Sequence, residues 1–149
     1  MADPAYELAV VQQQIKNGPP ALADWHTKYL FYDDAHRWVV DFIVLLKNRF
    51  LHAHKSLRSE EQNQGRGLRV LQQDHDLYVQ AVDLEQFISD KQSYLRCYET
   101  AVENRFPDPH AYALEKMHDP RNITSRELYG LPPAPTTDAR MPRYGYGFK

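Results

Sequence analysis

Histidine is the residue type in this sequence best suited to acid–base chemistry and metal binding, because imidazole titrates near neutral pH and is a common metal ligand. The chain has seven histidines: His26, His36, His52, His54, His75, His110 and His118. His36 falls on the apolar face of a predicted helix. That position is more typical of a hydrogen-bonded core residue or a partner contact than of a ligand.

A second group of histidines lies beside a predicted turn. His52 and His75 can approach each other across that turn, with Asp74 and Asp76 close by. Two histidines and two carboxylates suit zinc or iron. A solvated, histidine-rich turn explains the same residues, so we predict no metal site and no cofactor. A metal-binding helical bundle remains the alternative.

Signals for nucleophilic catalysis are weak. The one cysteine, Cys97, lies in the predicted helical stretch SYLRCYET, where it is best explained as a small apolar filler. A single cysteine excludes a disulfide framework or a multi-cysteine zinc site. The sequence contains neither G-x-S-x-G nor a phosphate loop. We predict that the protein is not an enzyme and has no catalytic residue.

The elements that carry these residues are predicted to be helices. Asp3-Pro4 is a helix start, and Asn17-Gly18 ends that first short helix. A second segment has an apolar seam at alternating spacings of four and three, which indicates packing against another helix. Asp33 and Asp34 predict a break near Tyr32. The seam runs Trp25, Tyr29, Tyr32, His36, Val39, Ile43, Leu46, Phe50, Ala53 and Leu57, and a second stripe adds Trp38, Phe42 and Leu45.

A third segment repeats the pattern after a turn predicted at Gly65 and Gly67. It is expected to reach Phe106, where Pro107 stops it. Its apolar positions are Val70, Leu77, Ala81, Leu84, Ile88, Leu95, Tyr98 and Val102.

Two long seams joined by a short polar loop predict an antiparallel hairpin folded about Gln62. Lys47 and Arg49 would then lie near Asp74 and Asp76, and opposite charges would meet. The same register places Leu46 near Tyr78 and Ile43 near Ala81.

Short helices are predicted to flank the hairpin. Asp108-Pro109 opens one of them, and Thr124 with Glu127 forms a capping box for another, which ends at Gly130. We therefore predict an all-α protein: a long antiparallel, coiled-coil-like hairpin with short flanking helices and an extended C-terminal arm. Residues 1–106 form the hairpin domain, and residues 107–149 hold the short helices and the arm.

The arm is rich in aromatic and basic residues and has no helical or strand period. Ten tyrosines, two tryptophans and six phenylalanines are more than a two-helix seam can bury. Three rings alternate with glycines at the very end, so in an extended chain they point to one side. We predict that the partner-binding residues are Tyr129, Arg140, Arg143, Tyr144, Tyr146 and Phe148.

Charge and hydropathy limit the classes of function that we expect for this protein. A net charge of −2 argues against nucleic acid as a partner. No secretory signal is visible, so we expect an intracellular protein that is not secreted. The run WVVDFIVLL falls well below the roughly 18 apolar residues of a membrane span. Membrane contact is at most peripheral, through a basic patch at Lys47, Arg49, Lys55 and Arg58.

These features predict a non-catalytic structural or accessory subunit that bridges neighbours in a larger assembly. Its partners would be other protein subunits. Accessory subunits of respiratory complexes and lumenal proteins of ciliary microtubules share this style of architecture, which makes mitochondrion and cilium the candidate compartments. A metal-binding bundle and a peripheral membrane adaptor are the alternatives.

Overall fold

The structure is a computed structural model that describes residues 3–59, 64–118 and 123–133, without the side chains between residues 50 and 72. The predicted all-α class is confirmed, since every regular element in these ranges is a helix. The described residues form five helices: α1 (Pro4–Asn17), α2 (Trp25–Ser59), α3 (Gln64–Glu103), α4 (Pro109–Lys116) and α5 (Ser125–Leu128).

The short helices begin where their capping residues predicted. Asp3 accepts from the amide of Ala5 at 3.1 Å at the start of α1, and Asp108 accepts from the amide of Ala111 at 3.1 Å before α4. Thr124 accepts from the amide of Glu127 at 3.2 Å before α5. In each case a side-chain oxygen satisfies an amide that has no partner within the helix.

The predicted break near Tyr32 is wrong, because α2 continues through this region without interruption. Asp33 does not cap a new helix. Its carboxylate pairs with Arg37 one turn later at 3.3 Å and accepts from the side-chain amide of Gln92 on α3 at 3.3 Å. These partners outweigh the tendency of an aspartate to start a helix of its own.

The predicted turn at Gly65 and Gly67 is also wrong, since both glycines lie inside the first turn of α3. Glycine costs about 1 kcal/mol relative to alanine in a helix interior, which a long packed helix can absorb. The link between α2 and α3 falls instead at residues 60–63, outside the described ranges.

The end of α3 lies three residues earlier than expected, at Glu103 and not at Phe106. Arg105 has a φ of 56°, in the left-handed region. The amide of Phe106 donates to the carbonyl of Ala101 at 2.9 Å, and the amide of Arg105 donates to Val102 at 3.1 Å. This is the Schellman pattern, which satisfies the last carbonyls of a helix.

Contacts between α2 and α3 pair early residues of one helix with late residues of the other. Near the start of α2, Tyr29 accepts from the guanidinium of Arg96 at 3.3 Å. Near the other end of the part of α2 whose side chains are described, Arg49 lies 3.4 Å from the buried carboxylate of Asp74. The predicted approach of opposite charges therefore occurs for this pair.

The core lies where α1, α2 and α3 meet, and α3 is its centre. Buried apolar residues are Leu8, Val11, Ile15, Tyr32, Val39, Phe42, Ile43, Leu46, Ala81, Val82, Leu84, Phe87 and Ile88. Leu46, Ile43 and Ala81 belong to this core as predicted, and Tyr78 packs against it. Leu45 does not, because its side chain is 47% exposed.

The middle of α3 is enclosed on several faces. Between Ala81 and Gln92 the buried positions include Glu85, Asp90 and Lys91 as well as apolar residues. α2, α1, α4 and α5 all contact α3. An apolar seam predicts one face that packs against one partner helix. The sequence pattern therefore underestimates the number of helices that pack against α3.

Candidate functional site

The most concentrated polar chemistry in the described residues is centred on Glu85, in the buried middle of α3. Its Oε1 lies 2.9 Å from His36 Nε2 on α2 and accepts from the Ser89 hydroxyl at 3.1 Å. Its Oε2 accepts a hydrogen bond from the hydroxyl of Ser125, the first residue of α5. One carboxylate therefore joins three helices.

Charge and burial act against each other at this carboxylate. Burial alone would raise the pKa of Glu85, but the hydrogen bonds from His36, Ser125 and Ser89 favour the ionised form and leave that pKa lowered. The hydrogen bond to Glu85 raises the pKa of His36, and partial burial of the imidazole only partly opposes this. The pair thus favours an imidazolium beside a carboxylate.

Serine, histidine and glutamate also form catalytic triads, but the order of contacts differs here. In a triad the histidine sits between the serine and the carboxylate and takes the serine proton. Here the carboxylate sits between Ser125 and His36, and it accepts from both. An acceptor held by a charged imidazole does not activate the serine, so the geometry suits a structural cross-link.

The same surface of α3 holds the segment from Ser125 to Leu131, which we call the clip. Arg126 donates two hydrogen bonds of 2.7 Å to the carboxylate of Asp83. The Ser125 amide donates to the side-chain carbonyl of Gln86 at 2.6 Å. α5 has only four residues and would not be stable alone, so these bonds fix it.

Tyr129, a predicted partner-binding residue, is part of the clip. Its backbone carbonyl accepts from the Tyr78 hydroxyl at 3.1 Å, and the two rings meet edge to face at 6.3 Å. The ring is half-buried against the core. The other five predicted partner-binding residues lie outside the described residues: Arg140, Arg143, Tyr144, Tyr146 and Phe148.

An apolar strip continues along α3 past the start of α2. Trp25, the first residue of α2, donates its indole N–H to the carbonyl of Leu95 at 2.6 Å. Beyond that level Tyr98 is 37% exposed, Val102 47% and Phe106 39%. Tyr98 and Val102 were predicted on the seam that faces α2. Both are exposed, and they follow Leu95, which the first residue of α2 contacts.

α4 covers a different face of the same end of α3. Ala101 on α3 and Ala113 on α4 are fully buried. The Tyr94 hydroxyl on α3 is hydrogen-bonded to His110 Nδ1 on α4. The ring of Phe106, beyond the end of α3, lies 4.9 Å from the ring of Tyr112 on α4. We call Tyr98 and Val102 the overhang, since both remain exposed beside these contacts.

The remaining predicted chemistry is not gathered into a site among the described residues. Within them, no group of three or more His, Cys, Asp or Glu side chains is placed to hold a metal ion. His75 is exposed, while the side chain of His52 is not described. Glu115 and His118 form the one Glu-x-x-His pair of the sequence, and both are exposed. Cys97 is half-buried.

The structure describes the side chains of only part of the predicted basic patch. Lys47 and Arg49 are exposed, and Arg49 reaches Asp74. The side chains of Lys55 and Arg58 are not described. No helix of the described chain combines the length and hydropathy needed to cross a membrane.

Sequence reasoning missed Glu85 and Ser125. Each is an ordinary polar residue at its own position, and no local motif links two residues that are 40 positions apart. Only Thr124 and Glu127, the capping residues of α5, form a local motif in this region. They predict the helix but not that it packs against α3.

Comparisons with known proteins add no relative: no family model matches the chain, and neither a curated protein nor a solved structure does.

Proposed function

We propose that this protein is a non-catalytic structural subunit that bridges neighbouring proteins in a larger assembly. The type is that of an accessory subunit of a respiratory complex or of a lumenal protein of a ciliary microtubule. In this proposal α2 and α3 form a long antiparallel, coiled-coil-like hairpin. The overhang and the C-terminal arm supply the surfaces that partners bind.

The overhang carries the proposal. Tyr98 and Val102 continue a helical seam at a spacing of four, yet both remain exposed beyond the start of α2. A seam of this kind is built to pack against another helix. A partner subunit that continues the line of α2 would bury these side chains. Tyrosine at the edge of such a surface suits an interface, since its ring packs and its hydroxyl reaches water.

Paired contacts support the hairpin. Trp25 bonds to Leu95 and Arg49 to Asp74, so residue numbers increase along α2 as they decrease along α3. The His36–Glu85 pair falls between them in the same order. The buried residues of both helices belong to one core.

The polar cluster supports a structural role over a catalytic one. His36, Glu85 and Ser125 satisfy one another and tie three helices together. Such networks rigidify a fold when each member has a partner. The clip they hold leads into the C-terminal arm.

Purification from the native source tests the proposal. The full-length chain, tagged and expressed at its natural level, should co-purify with a fixed set of proteins in stable stoichiometry. Mass spectrometry identifies them, and native electrophoresis gives the size of the complex. Recovery of the chain as a lone species of 17.5 kDa at natural expression would contradict the proposal.

A further inference from the structure

The clip is bound through its particular side chains, because α3 presents matching groups to its first two residues. Asp83 accepts two hydrogen bonds of 2.7 Å from the guanidinium of Arg126. Glu85 accepts from the Ser125 hydroxyl, and the side-chain carbonyl of Gln86 accepts from the Ser125 amide at 2.6 Å. The planar fork of arginine pairs with a carboxylate in a geometry that lysine cannot reproduce. These contacts have the character of a peptide-binding site that the chain's own clip occupies.

The α3 side of this site, which we call the groove, is oriented by contacts that do not involve the clip. The groove consists of Tyr78, Asp83, Glu85 and Gln86. His36 and Ser89 engage Oε1 of Glu85 at 2.9 and 3.1 Å, which leaves Oε2 for the clip. The side-chain amide of Gln86 donates to Asp90 at 2.8 Å, so its carbonyl is the atom that faces the clip. A groove that is oriented in advance loses less entropy when a peptide binds.

The clip depends on the groove more than on its neighbours in sequence. Among the described helices, α5 contacts α3 and no other. Residues 117–124 link it to α4. Leu128, at the end of α5, is 66% exposed, so this helix of four residues buries little apolar surface of its own. A helix of this length is not stable alone, so the groove supplies what holds it.

The same bonds can form whether the clip and the groove belong to one chain or to two. Exchange of an identical segment between two copies keeps each contact of the closed chain, which makes it a ready route to association. Within one chain, a short link gives an effective concentration in the millimolar range. A single chain in dilute solution therefore keeps its own clip. The clip of another copy competes when the local concentration of chains is high.

We infer that the groove is a peptide-recognition site that accepts the clip of a second copy of this chain in place of its own. The contacts select a serine followed by an arginine, and this pair of residues occurs once in the sequence, at Ser125 and Arg126. A second copy carries the same pair together with Tyr129, whose carbonyl accepts from Tyr78. The inference concerns contact between copies and does not rest on the proposed role among other proteins.

Complementation between two full-length variants tests the inference. Arg126→Met has a defective clip and an intact groove, whereas Asp83→Asn has an intact clip and a defective groove. Neither variant should associate with itself. Mixed at about 0.5 mM each, close to the effective concentration of a tethered clip, the two should form a complex of two chains. Sedimentation equilibrium measures the masses of each variant and of the mixture, and circular dichroism checks that both variants are helical.

A synthetic peptide of residues 123–133, labelled with fluorescein, tests recognition separately by fluorescence anisotropy. It should bind the Arg126→Met chain at least about fivefold more tightly than the wild-type chain, because the chain's own clip no longer fills the groove. Asp83→Asn added to that variant, or Arg126→Met placed in the peptide, should weaken binding about tenfold. The matched control is Arg37→Met, at an exposed arginine of α2, and it should bind the peptide as wild type does.

Three results would overturn the inference. One is a mixture of the two variants that stays monomeric at about 0.5 mM. Another is equal peptide binding by the wild-type and Arg126→Met chains, which would place the peptide outside the groove. The third is self-association of Arg126→Met to the extent seen in the mixture, which would show a contact between copies that does not use the clip. If Asp83→Asn fails to fold, peptide binding to Arg126→Met still decides the question.

Discussion

Trp25 donates its indole N–H to the backbone carbonyl of Leu95 at 2.6 Å, which fixes the first residue of α2 beside a point before the end of α3. From Leu95 to Glu103, α3 continues for about two turns at 3.6 residues per turn. The overhang of Tyr98 and Val102 follows from this offset. The proposed bridging role depends on it.

Leu46→Ala should destabilise the fold by about 2–5 kcal/mol, because Leu46 is buried in the core and truncation leaves a cavity. Leu45→Ala is the control on the same helix, and an exposed site should change the free energy of unfolding by no more than about 0.5 kcal/mol. Urea unfolding followed by circular dichroism measures both. Equal losses in the two variants would show that the α2 seam is not a core.

The His36–Glu85 pair should make stability depend on pH in a definite direction. The folded pKa of His36 is raised, so its contribution is complete below the ordinary value of 6.5 and is lost as the pH rises through the folded pKa. The folded pKa of Glu85 is lowered, so its contribution is present above the ordinary value of 4.5 and is lost as the pH falls through the folded pKa. The pair should stabilise the fold most between about pH 4.5 and 6.5.

His36→Gln tests this pH dependence. At pH 5.5 it should cost an amount near the lower end of the roughly 1.5–3 kcal/mol typical of hydrogen bonds to charged groups, because the imidazole is partly exposed. The cost should shrink at pH 8. His118→Gln, at an exposed histidine, is the control and should leave the free energy of unfolding unchanged at both pH 5.5 and pH 8. A cost in His36→Gln that does not vary between pH 5.5 and 8 would show that the imidazolium is not what stabilises the contact.

The clip should loosen when its ion pair is removed. Arg126 and Asp83 form a bidentate pair that is mostly shielded from water. A double-mutant cycle with Arg126→Met and Asp83→Asn should give a coupling of about 1–2 kcal/mol. Hydrogen exchange at the Leu128 and Leu131 amides should speed up in either variant. The Arg37–Asp33 pair, whose arginine is mostly exposed, is the control, and its coupling should stay below about 0.5 kcal/mol.

Local chemistry was enough to predict several features of the fold. The caps at Asp3, Asp108 and Thr124 each act within three residues, so the sequence window contains both partners. The alternating seam predicted that Ile43 and Leu46 are buried, because helical spacing alone decides which face they share.

Other features depend on contacts between distant residues, and the sequence could not supply them. From the sequence alone, Asp33 predicts the start of a helix. Its contacts with Gln92 and Arg37 become known only from the structure. Arg105 follows α3 in a left-handed conformation that glycine usually adopts. Because the residue is an arginine, the sequence did not predict that the helix ends there. Glu85 became a central residue only when α2 and α5 brought His36 and Ser125 to it.

The C-terminal arm remains a prediction, since residues 134–149 lie outside the described ranges. We expect its three terminal rings to be anchors that become ordered on a partner, while its net charge of +2 favours an acidic groove. The triple replacement with serine should leave helical content unchanged by circular dichroism and weaken incorporation into the native complex. The residues to replace are Tyr144, Tyr146 and Phe148.

A matched control sharpens that experiment. Replacing Thr136, Thr137 and Met141 with serine changes the same arm without touching its rings. Incorporation of the ring variant at the level of this control would show that the arm is a passive tail.

The overhang is tested most directly by the size of the native complex formed by the double variant Tyr98→Ser, Val102→Ser. Tyr6→Ser, Val10→Ser is a matched control, because it removes the same two residue types, at the same spacing, from exposed positions on α1. Native electrophoresis of extracts that contain each chain at its natural level gives the apparent mass. The bridging account predicts that wild type and the α1 control migrate in a complex far above 17.5 kDa, while the overhang variant is released at its own mass with its helical content intact. An overhang variant that stays fully in the complex would contradict the account.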